Sequence, residues 1–145
     1  MCIRDRTDIQ QMTEQDMAID DLELDRASLD TPQLHNKYLQ LYTQEALTFR
    51  KIDSDFKRVY KSKWEYYTGK ADPEVYKAAP FDLKILKQDV HMYLDADPEL
   101  DKLQSKLIYQ KEKINYLENI LKSLNSRTFH IKNAIEWKKF THGTI

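Results

Sequence analysis

Turn-forming residues and cysteine are scarce in this chain. Two glycines, four prolines and one cysteine occur among its 145 residues. Hairpins and sheets normally need glycine and proline as punctuation, so the composition disfavours a strand-rich fold. The single cysteine, Cys2, excludes an internal disulfide, and no apolar run approaches the roughly 20 residues that span a bilayer. We therefore expect a mainly α-helical, soluble intracellular protein without a membrane segment.

Net charge is also small, at −1, but the charges are unevenly distributed. Residues 1–30 hold nine acidic side chains against three arginines, so the rest of the chain is positive. This acidic segment could cover a basic surface or dock a partner, and the sequence leaves that choice open. Residues 1–6 resemble a translated sequencing adapter, and we expect them to be an artefactual leader.

Helix start and stop signals predict two long helices. The segment Asp30–Pro32 indicates a start, because a side-chain oxygen caps free N–H groups and proline suits the first turn. Apolar residues then keep a three-and-four spacing as far as Gly69, a residue typical of a helix C-cap. Asp97–Pro98 repeats the start signal, and the second long helix should run to about Lys139.

Shorter elements complete the predicted architecture. Residues 8–18 should form a short helix, and residues 20–25 an extended or loop segment because their apolar residues alternate. Residues 70–97 form a connector, in which residues 90–94 indicate a short strand or another helical turn.

The second long helix carries a heptad repeat. From Leu100 to Ile135 the repeat positions recur alternately three and four residues apart, the period that produces left-handed supercoiling. The repeat can pack antiparallel against the first long helix within one chain, or against other copies, and both can hold at once. A multi-helix oligomeric bundle or ring is our prediction, and the residues expected to mediate it are Leu107, Ile114, Leu117, Leu121, Leu124, Ile131 and Ile135.

Cations and aromatic rings alternate near the end of the first long helix. Residues 50–70 hold seven lysines and arginines against three acidic residues, and residues 119–145 add five cations against Glu136. Proteins hold single-stranded nucleic acid with cations at phosphates and with bases stacked on rings. The simpler alternative is a solvated lysine face beside packed aromatic rings. The residues predicted to contact a single strand are Lys57, Arg58, Lys61, Lys63, Trp64, Tyr67 and Lys70.

Other chemical signals are weak. The alternating acidic residues from Asp95 to Asp101 lack the glycine of a calcium loop, and helix capping explains them better. The four histidines have no metal-ligand spacing, and no glycine-rich phosphate loop is present. We therefore expect no metal, no cofactor and no enzymatic activity.

Two segments resemble the UvsY family of phage recombination mediators. Residues 61–70 carry two basic residues one apart, an acidic residue, a Tyr-Tyr pair, Thr, Gly and a basic residue. Residues 126–136 carry Ser-Arg, an aromatic residue, Ile-Lys and a further Ile. Both patterns occur in the family in this order and at this separation, and the resemblance extends over roughly residues 32–140.

The resemblance implies a function that composition alone does not. Such proteins bind single-stranded DNA, assemble into a closed ring through the C-terminal region, and help a RecA-type recombinase displace a single-strand-binding protein. Here it implies a ring of hexamer or heptamer size acting in the cytoplasm of a phage-infected bacterium. The family's DNA-contacting basic pair corresponds to Lys61 and Lys63. The second is arginine in the family pattern, whereas lysine contacts phosphate without a guanidinium fork.

These signals predict three functional segments and leave one alternative function. The segments are an acidic region at 1–30, a single-strand-binding helical region with the connector at 31–97, and an oligomerisation helix at 98–145. The alternative is a structural helical scaffold or virion-associated oligomer, whose basic faces serve solubility or protein contacts.

Overall fold

The protein, described for residues 5–143 by a computed structural model, is helical and has no strand within those residues. Its α-helices are α1 (Arg6–Met17), α2 (Leu24–Tyr67), α3 (Pro73–Ala78), α4 (Val90–Asp95) and α5 (Pro98–Thr141), and a 3-10 helix (Lys87–Asp89) precedes α4. The predicted mainly α fold with two long helices is confirmed. α2 and α5 have 44 residues each, about 66 Å at 1.5 Å per residue. Within residues 5–143, no helix is long and apolar enough to cross a membrane.

The chain forms two compact units, one of which combines two segments that are far apart in the sequence. The first unit takes the residues up to Glu45 together with those from Lys113 onward, and the second is Ala46–Glu112. Each unit therefore contains one part of α2 and one part of α5. The three-part functional division expected from sequence remains a prediction.

The apolar core of the first unit uses much of the heptad repeat. Leu117 and Leu124 of α5 are buried with Ile9 of α1 and Tyr38 of α2. Further along α5, Ile131 is buried against the start of α2. Within this unit the repeat packs inside one chain, as the first alternative allowed.

Seven repeat positions were predicted to mediate self-association, and they differ in exposure. Four are buried in the single chain, namely Ile114, Leu117, Leu124 and Ile131. The other three are partly covered, namely Leu107, Leu121 and Ile135. Self-association through these positions remains a prediction.

The predicted start of α2 at Asp30–Pro32 is wrong. The helix begins at Leu24 and includes Pro32 in its interior, where proline removes one backbone hydrogen bond. The helix begins earlier because Leu24 and Ala27 are buried against Ile131 of α5. Burial of this apolar turn outweighs the local cost of Pro32. Residues 20–23 are non-helical, as expected for part of the predicted loop.

Helix α1 is fixed to the first unit by the carboxylate of Asp16. Its Oδ2 accepts hydrogen bonds from Lys37 Nζ at 2.6 Å and from the Tyr38 hydroxyl at 2.8 Å. Burial opposes ionisation of Asp16, but these bonds and the charges of Lys37 and Arg127 outweigh it, so its pKa is lowered. Burial, and then the hydrogen bond to Asp16, raises the pKa of Tyr38 to about 12. Part of the acidic N-terminal region is therefore built into the core. Residues 1–4 of the expected leader lie outside the described residues.

The second unit surrounds the junction between α4 and α5. Val90 and Leu94 of α4 are buried with Leu100 of α5, and Phe56 and Val59 of α2 pack against them. The helical alternative for residues 90–94 is thus the one observed. Asp97 caps α5 as predicted, since its Oδ1 accepts the N–H groups of Glu99 and Leu100 at 3.0 and 3.1 Å.

Candidate nucleic-acid interface

The end of α2 is a complete glycine cap. Gly69 has φ of +79°, the Gly69 N–H donates to Tyr66 O, and the Lys70 N–H donates to Glu65 O at 2.8 Å. This pair of bonds defines a Schellman motif, in which glycine avoids the strain of the left-handed region. The reversal brings Lys70 Nζ to 4.7 Å from the centroid of the Trp64 ring. The predicted C-cap is confirmed, and it places a cation on an aromatic face.

Three predicted DNA-contacting cations project from α2 into solvent. The side chains of Lys57, Arg58 and Lys61 are 73%, 75% and 80% exposed. Each is paired with an acidic residue one turn away on the same helix: Lys57 with Asp53, Arg58 with Asp55, and Lys61 with Glu65. Exposed pairs of this kind contribute about 0–1 kcal/mol, so a phosphate can replace the carboxylate at low cost.

Two other predicted contacts lie on a different side of α2. Lys63 Nζ is 3.3 Å from Asp97 Oδ2 and 3.1 Å from Glu99 Oε2, and its side chain is only 27% exposed. The hydroxyl of Tyr67 donates to Asp97 Oδ2 at 2.6 Å. Sequence reasoning missed Asp97 and Glu99 as partners of Lys63, because 34 and 36 residues separate them along the chain.

The Tyr-Tyr pair belongs to an aromatic cluster that holds the connector. The rings of Tyr66 and Tyr76 stack with centroids 5.5 Å apart, and Tyr67 packs edge-on to Phe81. The Tyr66 hydroxyl also donates to Ala79 O at 3.0 Å. For these tyrosines the simpler alternative of packed rings is the one observed.

Trp64 and Tyr60 remain as the exposed rings beside the cations. Trp64 is 38% exposed and Tyr60 is 43% exposed. They lie four residues apart on α2, which places them on one face with Lys57 and Lys61. Tyr60 was not among the predicted contacts, although its spacing from Trp64 was a usable signal. We name Lys57, Tyr60, Lys61, Trp64 and Lys70 the cationic face; Arg58 lies at its edge, one turn from Lys61.

The second resembling segment lies in the first unit, where its arginine is structural. Arg127 is only 5% exposed, and its Nη1 donates to Asp16 O at 3.3 Å. Ile131 is buried, whereas Phe129 and Lys132 face solvent. The charge of Arg127 had suggested that it belongs to a solvent-facing basic patch in residues 119–145. Because it is buried, Arg127 does not contribute to such a patch.

Comparison with known proteins relates this helical architecture to proteins of DNA recombination. A family model described as "Recombination, repair and ssDNA binding protein UvsY" matches residues 12–144. The recombination protein uvsY of Enterobacteria phage T4 is 23% identical over 136 residues, which cover 94% of this chain and 96% of that protein. Two crystal structures of the bacteriophage T4 recombination mediator protein UvsY give TM-scores of 0.86 and 0.82. Their identities are 22% and 21%, and they cover 96% and 95% of this chain and 98% and 99% of theirs.

The family match spans nearly the whole chain and includes the cationic face. The protein is thus of the helical class that serves recombination and repair and binds single-stranded DNA. It belongs to the UvsY family.

Proposed function

We propose that this chain is a recombination mediator that binds single-stranded DNA through the cationic face and promotes loading of a RecA-type recombinase in place of a single-strand-binding protein. The observation that carries the proposal is a set of exposed, weakly paired cations around an exposed tryptophan. Cations bind phosphates and the ring stacks on a base, a combination tolerant of sequence. The protein acts by binding rather than by catalysis, and any ATP used belongs to the recombinase.

A salt titration tests the DNA contact. Removing one phosphate-binding cation should reduce the slope of log affinity against log salt by about 0.7 for single strands. We expect the double variant Lys57→Ala, Lys61→Ala to bind a labelled oligonucleotide more weakly and with a slope smaller by about 1.4. Fluorescence anisotropy at several salt concentrations measures both quantities. The control is Lys106→Ala, which removes an exposed cation of α5 outside the cationic face. A structural scaffold would show no tight, salt-sensitive binding, and that result would remove the proposal.

We also propose that the protein assembles into a homo-oligomeric ring through the C-terminal part of α5. Phe129, Trp137 and Phe140 are 68%, 65% and 77% exposed, an unusual exposure for aromatic side chains. Because the heptad positions are largely covered within one chain, we assign these three exposed rings to the contact with another copy.

Sedimentation at micromolar concentration tests the assembly. Wild type should sediment well above the mass of one chain, 17.4 kDa, and Phe129→Ser with Phe140→Ser should shift it towards that mass. The Lys57→Ala, Lys61→Ala variant should stay assembled, because its substitutions lie outside this surface. A wild-type chain that sediments only at 17.4 kDa would contradict self-association.

A further inference from the structure

Lys61 and Lys63 have opposite environments although only one residue separates them. Residues two apart on an α-helix differ by about 200° in direction, so they do not share a face. The Lys61 side chain is 80% exposed, and the carboxylate oxygen of its partner Glu65 is 3.9 Å away. The Lys63 ammonium instead lies between the carboxylates of Asp97 and Glu99 at 3.3 and 3.1 Å. A phosphate can reach Lys61 directly, but it would have to displace two carboxylates from Lys63.

We call Lys63, Tyr67, Asp97 and Glu99 the ion-pair cluster. Asp97 makes the cluster costly to open. Its side chain is 2% exposed, and it accepts hydrogen bonds from two backbone N–H groups of α5 and from the Tyr67 hydroxyl. A buried carboxylate requires a charged partner, and Lys63 supplies it. If Lys63 moved to a phosphate, the charge of Asp97 would lose that ion pair.

The ionisation of the cluster agrees with its geometry. Burial tends to lower the pKa of Lys63, but the hydrogen bonds and charges of Glu99 and Asp97 outweigh burial and raise it. Burial opposes the charge of Asp97, yet bonds from Tyr67, the Leu100 N–H and Lys63 lower its pKa. Both members of the pair are therefore charged at neutral pH.

The cluster joins the last turns of α2 to the first turn of α5. Lys63 and Tyr67 lie one turn apart on α2, and both bind the residue that caps α5. Trp64 and Lys70 lie in the same turns of α2 and in its cap, next to this joint, with Lys70 Nζ 4.7 Å from the centroid of the Trp64 ring.

We propose that Lys63 and Tyr67 are positioning residues, which hold Asp97 and thereby the shape of the cationic face, and that they do not contact the DNA strand. The inference rests on the proposed function, since it assumes that the cationic face binds the strand. It divides the basic pair: Lys61 contacts phosphate, and Lys63 maintains the surface on which Lys61, Trp64 and Lys70 are arranged.

Matched variants of the full chain separate positioning from contact. Lys63→Met and its control Lys61→Met each remove one ammonium group from the same helix. We expect Lys61→Met to reduce the salt slope of oligonucleotide binding by about 0.7 and to leave the melting temperature unchanged. Lys63→Met should leave the slope unchanged and lower the melting temperature by more than about 5 °C, because Asp97 is left buried without its ion pair.

Asp97→Asn gives the sharper result, because two explanations predict opposite signs. If Lys63 contacted phosphate, removing the negative charge of Asp97 would free Lys63, and the oligonucleotide would bind more tightly. If Lys63 positions the surface, Asp97→Asn should weaken binding at least threefold, lower the melting temperature and leave the slope unchanged.

Two further variants keep the test decisive if Lys63→Met folds poorly. Lys63→Arg keeps the charge and should retain the affinity and the melting temperature of wild type. Lys63→Met combined with Asp97→Asn removes both charges, so it should recover part of the stability that Lys63→Met forfeits, while its salt slope equals that of wild type. A slope reduced by about 0.7 in either the single or the double variant would overturn the inference. A wild-type protein without salt-sensitive binding would overturn the proposed function as well.

Discussion

Lys113→Met alone should lower the free energy of unfolding by about 3–5 kcal/mol, the usual cost of removing one partner of a buried ion pair. Lys113 Nζ lies 3.2 Å from Glu45 Oε2, and the two side chains are only 2% and 8% exposed. Methionine is close to lysine in volume and flexibility but has no ammonium group, so the substitution removes the charged partner of the buried Glu45 carboxylate. Urea unfolding at fixed protein concentration, followed by circular dichroism, measures the decrease.

Removing both charges provides the matched control. Glu45→Leu combined with Lys113→Met replaces the pair by apolar side chains of similar size, which is often neutral or stabilising. We therefore expect the double variant to unfold at a urea concentration equal to or above that of wild type. If Lys113→Met were as stable as wild type, the pair would not be buried in solution as the structure has it.

Trp64→Ala should weaken binding to single-stranded DNA by about fivefold to 150-fold, because one stacked base contributes about 1–3 kcal/mol. Trp64 is one of the two exposed rings of the cationic face, and Lys70 Nζ lies over it at 4.7 Å from the ring centroid. Loss of a ring removes stacking without removing a charge. The slope of log affinity against log salt should therefore equal that of wild type, in contrast to the lysine variants.

Two substitutions calibrate the result for Trp64. Trp64→Phe retains an aromatic face and should lose less affinity than Trp64→Ala. Leu47→Ala removes an exposed apolar side chain elsewhere on α2 and should bind like wild type. Equal affinity of Trp64→Ala and wild type would show that the ring does not stack on a base. Anisotropy titrations with an oligonucleotide measure all three variants.

Sequence signals correctly predicted the helix ends that depend only on neighbouring residues. Gly69 and Asp97 were identified as a C-cap and an N-cap because capping involves only neighbouring backbone groups. The same reasoning failed at Pro32, where burial of Leu24 and Ala27 against Ile131, over 100 residues away, extends the helix past a local stop. Local chemistry sets where a helix can begin, and distant packing sets where this one does.

The candidate site divides in the same way. The sequence showed cations and rings at helical spacing, and the family resemblance selected single-stranded DNA as their ligand. The sequence could not show that Lys63 contacts Asp97 and Glu99, because contacts between distant segments form only when the chain folds.

The order of residues was enough to establish the helical class, the two long helices, the caps at Gly69 and Asp97, and membership of the UvsY family. Periodicity and cap chemistry are properties of neighbouring residues and can be read directly. Folding in three dimensions was needed to show which helix covers the heptad repeat, that Arg127 is buried, and which cations remain exposed to a phosphate. Those outcomes depend on burial between segments that are far apart in the sequence. A local residue pattern does not specify which distant segment packs against it.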